Sequence, residues 1–399
     1  MTDLETKALE TLQKNRVEGP NFWYTRPGGK YKHQFFWDSC CHALVLRHLD
    51  PTFAKRELHS LFRFQEPSGF IPHISAHIDP WLSRFYWGRY GSSGLIQPPI
   101  VAESVWALYE VDHDKAFLRE LYPKLTKYYE FILTVRDHDQ DHLFSYIHPW
   151  ESGWDQSIEW EFAFQGRQQF GRQWRTRFWL MTLPFRRLKW DQEAMMRTAR
   201  FHVETVDGNV LLALNLSAMA SIAKALGKGS DASKWHEQAK QVEKAVLTDL
   251  WDGDTFVDHY LVGSMHDIIK KRTPAMFFPL LLPSLKKEQK KKLIAHLVNE
   301  FMTVSWPVPT AAPSEPHFNP TAYWRGTTWV NVNYYIIRGL WQQKEKELAK
   351  DLLDLTTRLV TRSGFHEYYN PFTGEGLGVN DFSWSTLVVD LLKRAPTSV

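Results

Sequence analysis

Apolar residues recurring at steps of three and four constrain this chain more than any other feature. Leu212, Leu216, Met219, Ala223 and Leu226 keep that rhythm, and Gly227 supplies a stop. Trp235, Ala239, Val242 and Val246 repeat it, as do Leu348, Leu352, Leu355 and Leu359 ahead of Gly364. A period near 3.6 puts each set on one helix face, and that face must be buried against a neighbour. Further helices are expected at roughly 2–16, 39–48, 51–65, 101–111, 115–136, 264–281, 286–302, 329–342 and 382–394, with β-alternation nearly absent.

No Pro/Gly/Ser-rich linker divides the 399 residues, and no strict repeat is visible. About a dozen helices without a break predict one all-α domain over 1–399, built as a ring of paired helices. A two-domain helical bundle is disfavoured, because the motif-rich segments run from one end of the chain to the other. In a ring, connectors at one end converge on a central pocket. The irregular stretch 155–200, centred on "GRQQFGRQWRTRFW", reads as an inserted loop and helix region over that pocket.

Composition excludes several classes. A net charge of +3 gives no electrostatic case for nucleic acid. The run "KKEQKKK" continues into "LIAHL" and reads as the solvated start of an amphipathic helix. The two cysteines, Cys40 and Cys41, are neighbours and cannot build a disulfide framework or a spaced metal site. The charged start "MTDLETKALETLQKNR" lacks the apolar run of a secretory signal, and no stretch of about twenty apolar residues suggests a membrane span. A reducing cytoplasm is the expected compartment. His73 and His77 stand at i,i+4 spacing, but the glutamate of H-E-x-x-H and a third ligand are missing, so no metal is expected.

The aromatic content is unusual: 18 Trp, 15 Tyr and 25 Phe. Part of it must be core. The rest clusters beside charge, in "QFFWDS", "HPWESGWDQS", "YWRGTTW" and "DFSWS". A ring face suits the C–H face of a sugar, while acids and amides suit its hydroxyls. Asp155 and Ser152 could simply cap a helix, as could Asp38. A second acidic, aromatic segment, "GFHEYYNPFTGEGLGVNDFSWS", weighs against that; it holds Glu367, Glu375 and Asp381 between turn signals. Its glycines do not match G-x-G-x-x-G, so a dinucleotide reading fails. Two separated carboxylates among rings, with Arg, Asn and Gln nearby, match the needs of glycoside hydrolysis. One acid protonates the leaving oxygen and needs a raised pKa, which an apolar surround supplies.

Six segments in order, "FFWDS", "GLIQPP", "HPWESGWDQS", "YWRGTTWVNVNYY", "EYYNPFTGEGLG" and "FSWS", resemble glycoside hydrolase family 63 over roughly residues 5–395. The chain is most similar to that family's compact bacterial mannosylglycerate and glucosylglycerate hydrolases, and "ESGWD" also resembles the family 37 trehalases. The resemblance implies an (α/α)6 barrel and inverting hydrolysis of an α-linked sugar without a metal or other cofactor. It makes Asp155 the general acid and Glu367 the general base, with Glu375 the weaker candidate. It assigns sugar contacts to Trp37, Asp38 and Gln97, and site closure to Tyr323, Trp324, Arg325 and Trp329, with Asn331 nearby. Trp154, with Trp150, would give Asp155 its apolar surround. The family's glycerate-gripping arginine aligns to no single residue, leaving Arg167, Arg172, Arg175 and Arg177 as substitutes or a neutral aglycone such as a second sugar. Two other functions fit a helical ring: a sugar epimerase or isomerase using His33, His148 or His366, and a non-catalytic sugar-binding protein.

Overall fold

The computed structural model describes residues 1–164, 174–263 and 265–396. Helices carry most of these residues, and their burial separates them into two kinds. The helix Phe36–Leu49 buries twelve consecutive residues, Phe36 through Arg47, so it meets protein on every side. The helix Lys346–Ser363 buries only one stripe, including Ala349, Leu352, Leu353, Thr356, Leu359 and Val360.

Helices of the first kind form a circuit. Phe36–Leu49 packs on Val101–Asp112, which packs on Val206–Ala225. The latter meets the tight helical segment Pro274–Leu281, which meets Val330–Gln342; that helix packs on Leu387–Arg394, which returns to Phe36–Leu49. Outer helices lie against members of the circuit: Pro51–Leu61, Lys115–Phe131, Gly229–Asp249 and Lys346–Ser363 among them. One continuous hydrophobic cluster runs through both layers. The helix Val206–Ala225 is long and apolar enough to cross a membrane, but 78% of its apolar window is buried within the protein, which makes it a core helix.

Local chemistry explains the ends. Thr2 and Glu5 form a reciprocal capping box at the start of Asp3–Lys14. Asp50 caps Pro51–Leu61, with proline at its first position. Two expectations need correction. The segment 264–281 is not one helix: Asp258–Val262 and Met265–Ile269 form an antiparallel hairpin, which His202–Glu204 extends to three strands, and only Pro274–Leu281 is helical. Pro274 and Pro279 prevent a longer helix there. Nor is β-structure nearly absent, since two-stranded antiparallel sheets also occur at Arg16–Gly19/Phe22–Thr25, Gln34–Phe35/Ile74–Ser75 and His366–Tyr369/Gly376–Asn380. Within 155–200 the described residues form Ile158–Phe164, Trp174–Arg187 and Gln192–Thr198.

Candidate active site

A cavity of about 470 Å³ opens where the connectors meet. Three carboxyl side chains from distant parts of the chain line it: Asp38, Asp155 and Glu367.

Asp155 owes its position to the short turn of helix Pro149–Ser152. His148 caps it, its Nδ1 accepting from the Trp150 N–H at 3.1 Å while Nε2 donates to the Phe178 carbonyl at 3.0 Å. Gly153 ends it with φ +75°, and a Cβ there would stand 2.5 Å from the Trp37 ring. Both the left-handed backbone and the close ring contact therefore demand glycine. Glu151, the other acid of the segment, points away. It is fully buried in an ion pair with Arg136 at 2.9 Å and accepts from the Ile147 N–H at 2.8 Å. It anchors the turn. Asp155 keeps some surface on the cavity, yet dense protein surrounds it, and this burial pushes its carboxyl up to about 8. The nearby Glu367 adds to the rise, and the Arg175 guanidinium opposes it.

Glu367 comes from the strand His366–Tyr369, at a register irregularity between His366 and Tyr368. Three donors converge on it: the Tyr31 hydroxyl to Oε1 at 2.5 Å, and Lys30 Nζ at 3.2 Å and the Val379 N–H at 3.1 Å to Oε2. Gly378 leaves room for the carboxylate, since a Cβ there would lie 2.6 Å from Oε2. Burial and the adjacent Glu367 hold the Tyr31 phenol far above its ordinary range, so it donates.

Asp38 lies in the first turn of Phe36–Leu49, where Phe35, not Asp38, occupies the cap position. Burial raises its carboxyl well above the usual range, and Glu367, Glu57 and Asp155 raise it further. Gln97 reaches the same helix, its Oε1 accepting from the Trp37 N–H at 3.1 Å. Trp37, Gln97 and Tyr323 all line the cavity, together with Trp150.

Several anticipated contacts lie behind that lining. Trp154 stacks on Trp324 at 5.2 Å and 10°, Trp324 on Trp329 at 3.7 Å and 9°, and Trp329 on Tyr368 at 4.9 Å and 22°. Only Tyr368 of this stack reaches the cavity; the three tryptophans are buried, so they set the wall's position instead of facing a ligand. Arg325 pairs with Glu161 and donates to the Gln156 carbonyl at 3.3 Å, fastening the loop behind Asp155. Asn331 is likewise buried off the lining. Glu375 is exposed on the turn before Gly376–Asn380 and does not line the cavity. Among the arginines, Arg175 lines the cavity above the Trp174 ring at 5.3 Å; Arg177 does not line it, and Arg167 and Arg172 fall outside the described residues.

Sequence reasoning passed over Lys30, Tyr31, Trp87, Tyr368 and Trp384, which also line the cavity. Tyr31 and Lys30 sit in "GGKYKHQFFWDS", and that glycine turn directly before the Trp37–Asp38 motif was the available signal. His33, His148 and His366 do not line the cavity; His73 does, with its Nδ1 held by the Ser93 hydroxyl at 2.6 Å. His77 is engaged by Gln34 at 2.7 Å.

A cavity walled by aromatic rings, with carboxyls of unlike surroundings, suits a class of enzymes: those that cleave glycosidic bonds. Residues 31–385 match the family model described as "Mannosylglycerate hydrolase MGH1-like glycoside hydrolase domain", and the chain belongs to that family of glycoside hydrolases. The mannosylglycerate hydrolase of Thermus thermophilus is 30% identical, the alignment covering 95% of this chain and 98% of that one. A crystal structure of a GH63 mannosylglycerate hydrolase from the same species, in complex with Tris and D-glycerate, superposes with a TM-score of 0.88 at 30% identity, over 98% of this chain and 100% of that one. The glucosylglycerate hydrolase of Mycolicibacterium hassiacum is 24% identical over 90% of this chain and 91% of its own.

Proposed function

We propose that this enzyme hydrolyses the α-glycosidic bond of mannosylglycerate or glucosylglycerate with inversion, Asp155 acting as general acid and Glu367 as general base. The observation that carries the reading is the contrast between two carboxyls on one cavity. Asp155, raised to about 8, keeps its proton at neutral pH. Glu367 receives three donors, the surroundings of an acceptor.

In this scheme the Asp155 proton passes to the glycosidic oxygen as the C1–O bond breaks. A water enters on the opposite face of C1 and gives its proton to Glu367. The products are glycerate and the free sugar, first as the β-anomer. Asp38 and Gln97, with Trp37, hold the sugar's hydroxyls and its apolar face. In this scheme the Arg175 guanidinium, which lines the cavity near Asp155, takes the aglycone carboxylate. A relative crystallised with D-glycerate supports that aglycone class.

The closed packing circuit supports an (α/α)6 toroid as the architecture, with all three carboxyls at one mouth. The experiment is turnover of wild type, Asp155→Asn and Glu367→Gln on α-mannosylglycerate and α-glucosylglycerate, followed by proton NMR. Both variants should bind substrate and release sugar at least about 100-fold more slowly than wild type. Epimerisation of a free sugar, or full activity in either variant, would contradict the reading.

A further inference from the structure

Away from the catalytic cavity, the three-stranded sheet presents one face with an uncommon set of side chains. Glu204 stands directly opposite His259 in the register, and His266 on the third strand is opposite Leu261, two residues along the same face. The His266 Nε2 and His259 Nδ1 lie 3.1 Å apart, and His259 Nδ1 is 4.0 Å from Glu204 Oε2. On its other side Glu204 meets the loop after the helical segment Ile132–Arg136: ligand atoms of His138, Asp139 and Glu204 lie within 4.8 Å of one another, as do those of Glu204, His259 and His266.

Glu204 is 1% exposed, and neither of its carboxylate oxygens has a hydrogen-bond partner among the described residues. Asp137 Oδ1 and His202 Nδ1, in the same neighbourhood, are also buried and unpartnered among those residues. Asp139, which groups with His138 and Glu204, also groups with Asp137 and Asp141, whose ligand atoms lie within 4.8 Å of one another, so further carboxylates crowd this side of Glu204. A buried carboxyl without a donor is costly, and more negative charge around it deepens the cost. A cation at the centre resolves both problems.

We infer that Glu204, His259 and His266 form a binding site for a divalent transition-metal ion of the Zn²⁺ or Mn²⁺ type, with His138 and Asp139 completing its surroundings. Two imidazoles and a carboxylate are the donor set such ions prefer over Mg²⁺ or Ca²⁺. Bonds of about 2.0–2.2 Å place neighbouring ligand atoms roughly 3–4 Å apart, as the His266–His259 and His259–Glu204 pairs are. The site joins the hairpin to the loop at 137–142. Val203, beside Glu204, pairs with Tyr146 just ahead of the His148–Asp155 turn, so the ion would brace the segment that carries Asp155 without entering the chemistry. None of these ligands lines the catalytic cavity.

The test uses EDTA-treated, dialysed full-length protein titrated with Zn²⁺ and, separately, Mn²⁺ by calorimetry and thermal melting. One equivalent should bind, and a metal concentration 100-fold above Kd should raise Tm by about 3 °C. Glu204→Gln and His266→Ala should each weaken binding by more than about tenfold and cut the Tm rise at that metal concentration to about half or less, while keeping wild-type turnover. His266 is exposed, so its alanine variant folds, and retained turnover verifies that in both. Absence of saturable binding by either ion, or variants that bind like wild type, would overturn the inference.

Discussion

Asp155 concentrates the account in a single proton. With Asp155 as the proposed general acid, its raised value near 8 means that the donor form is lost as pH climbs through that point, so kcat/KM should carry a basic limb at about 8. The positive Arg175 lowers that value, so Arg175→Ala should move the limb to higher pH. If Arg175 also grips the aglycone carboxylate, the same variant should raise KM for glycerate glycosides about 10- to 100-fold, with a smaller effect on a neutral disaccharide. A pH profile together with steady-state kinetics checks both; an unmoved limb would detach Arg175 from the site. Asp155→Asn should cost about 10²- to 10⁴-fold in kcat. Residues in contiguous motifs, such as Trp37, Asp38 and Asp155, were legible in the sequence. Tyr31 was overlooked: the glycine turn beside it marks a loop at the motif but does not name its partner Glu367, 336 positions away.

At the scale of elements, the two acids of "HPWESGWDQS" divide their labour. Glu151 and Arg136 are an unexposed pair, and removing one partner strands the other. Glu151→Ala should therefore destabilise the fold by about 3–5 kcal/mol in denaturant unfolding. Gly153→Ala faces both a positive φ and the Trp37 ring. A cost of about 1–3 kcal/mol and a drop in kcat are expected together, since the displaced turn carries Asp155. Unchanged activity in a folded Gly153→Ala protein would show that the turn does not aim the acid. Helices were legible at this scale because a face repeating over three or more turns leaves a long record. The small sheets left none: strands of two to five residues are too short for period-two alternation to stand out. Met265–Ile269 was absorbed into a helical reading for that reason, and the prolines at 274 and 279 were the overlooked stop.

Over the whole molecule, the circuit of buried helices converts sequence distance into proximity. Asp38, Asp155 and Glu367 enter from the first tenth, the middle and the last tenth of the chain, and the circuit of packed helices brings them to one cavity. Part of the tryptophan content serves that cavity from behind: Trp154, Trp324 and Trp329 stack as a backing that fixes where the lining stands. Their burial was beyond sequence reasoning, which sees a ring beside a charge but not which side of a wall it occupies. The central claim is inversion by Asp155 and Glu367 across this cavity, and its most direct measurement is time-resolved proton NMR of wild-type enzyme with α-mannosylglycerate and α-glucosylglycerate. The β-anomer of the released sugar should appear first and mutarotate afterwards. Initial release of the α-anomer would contradict the account.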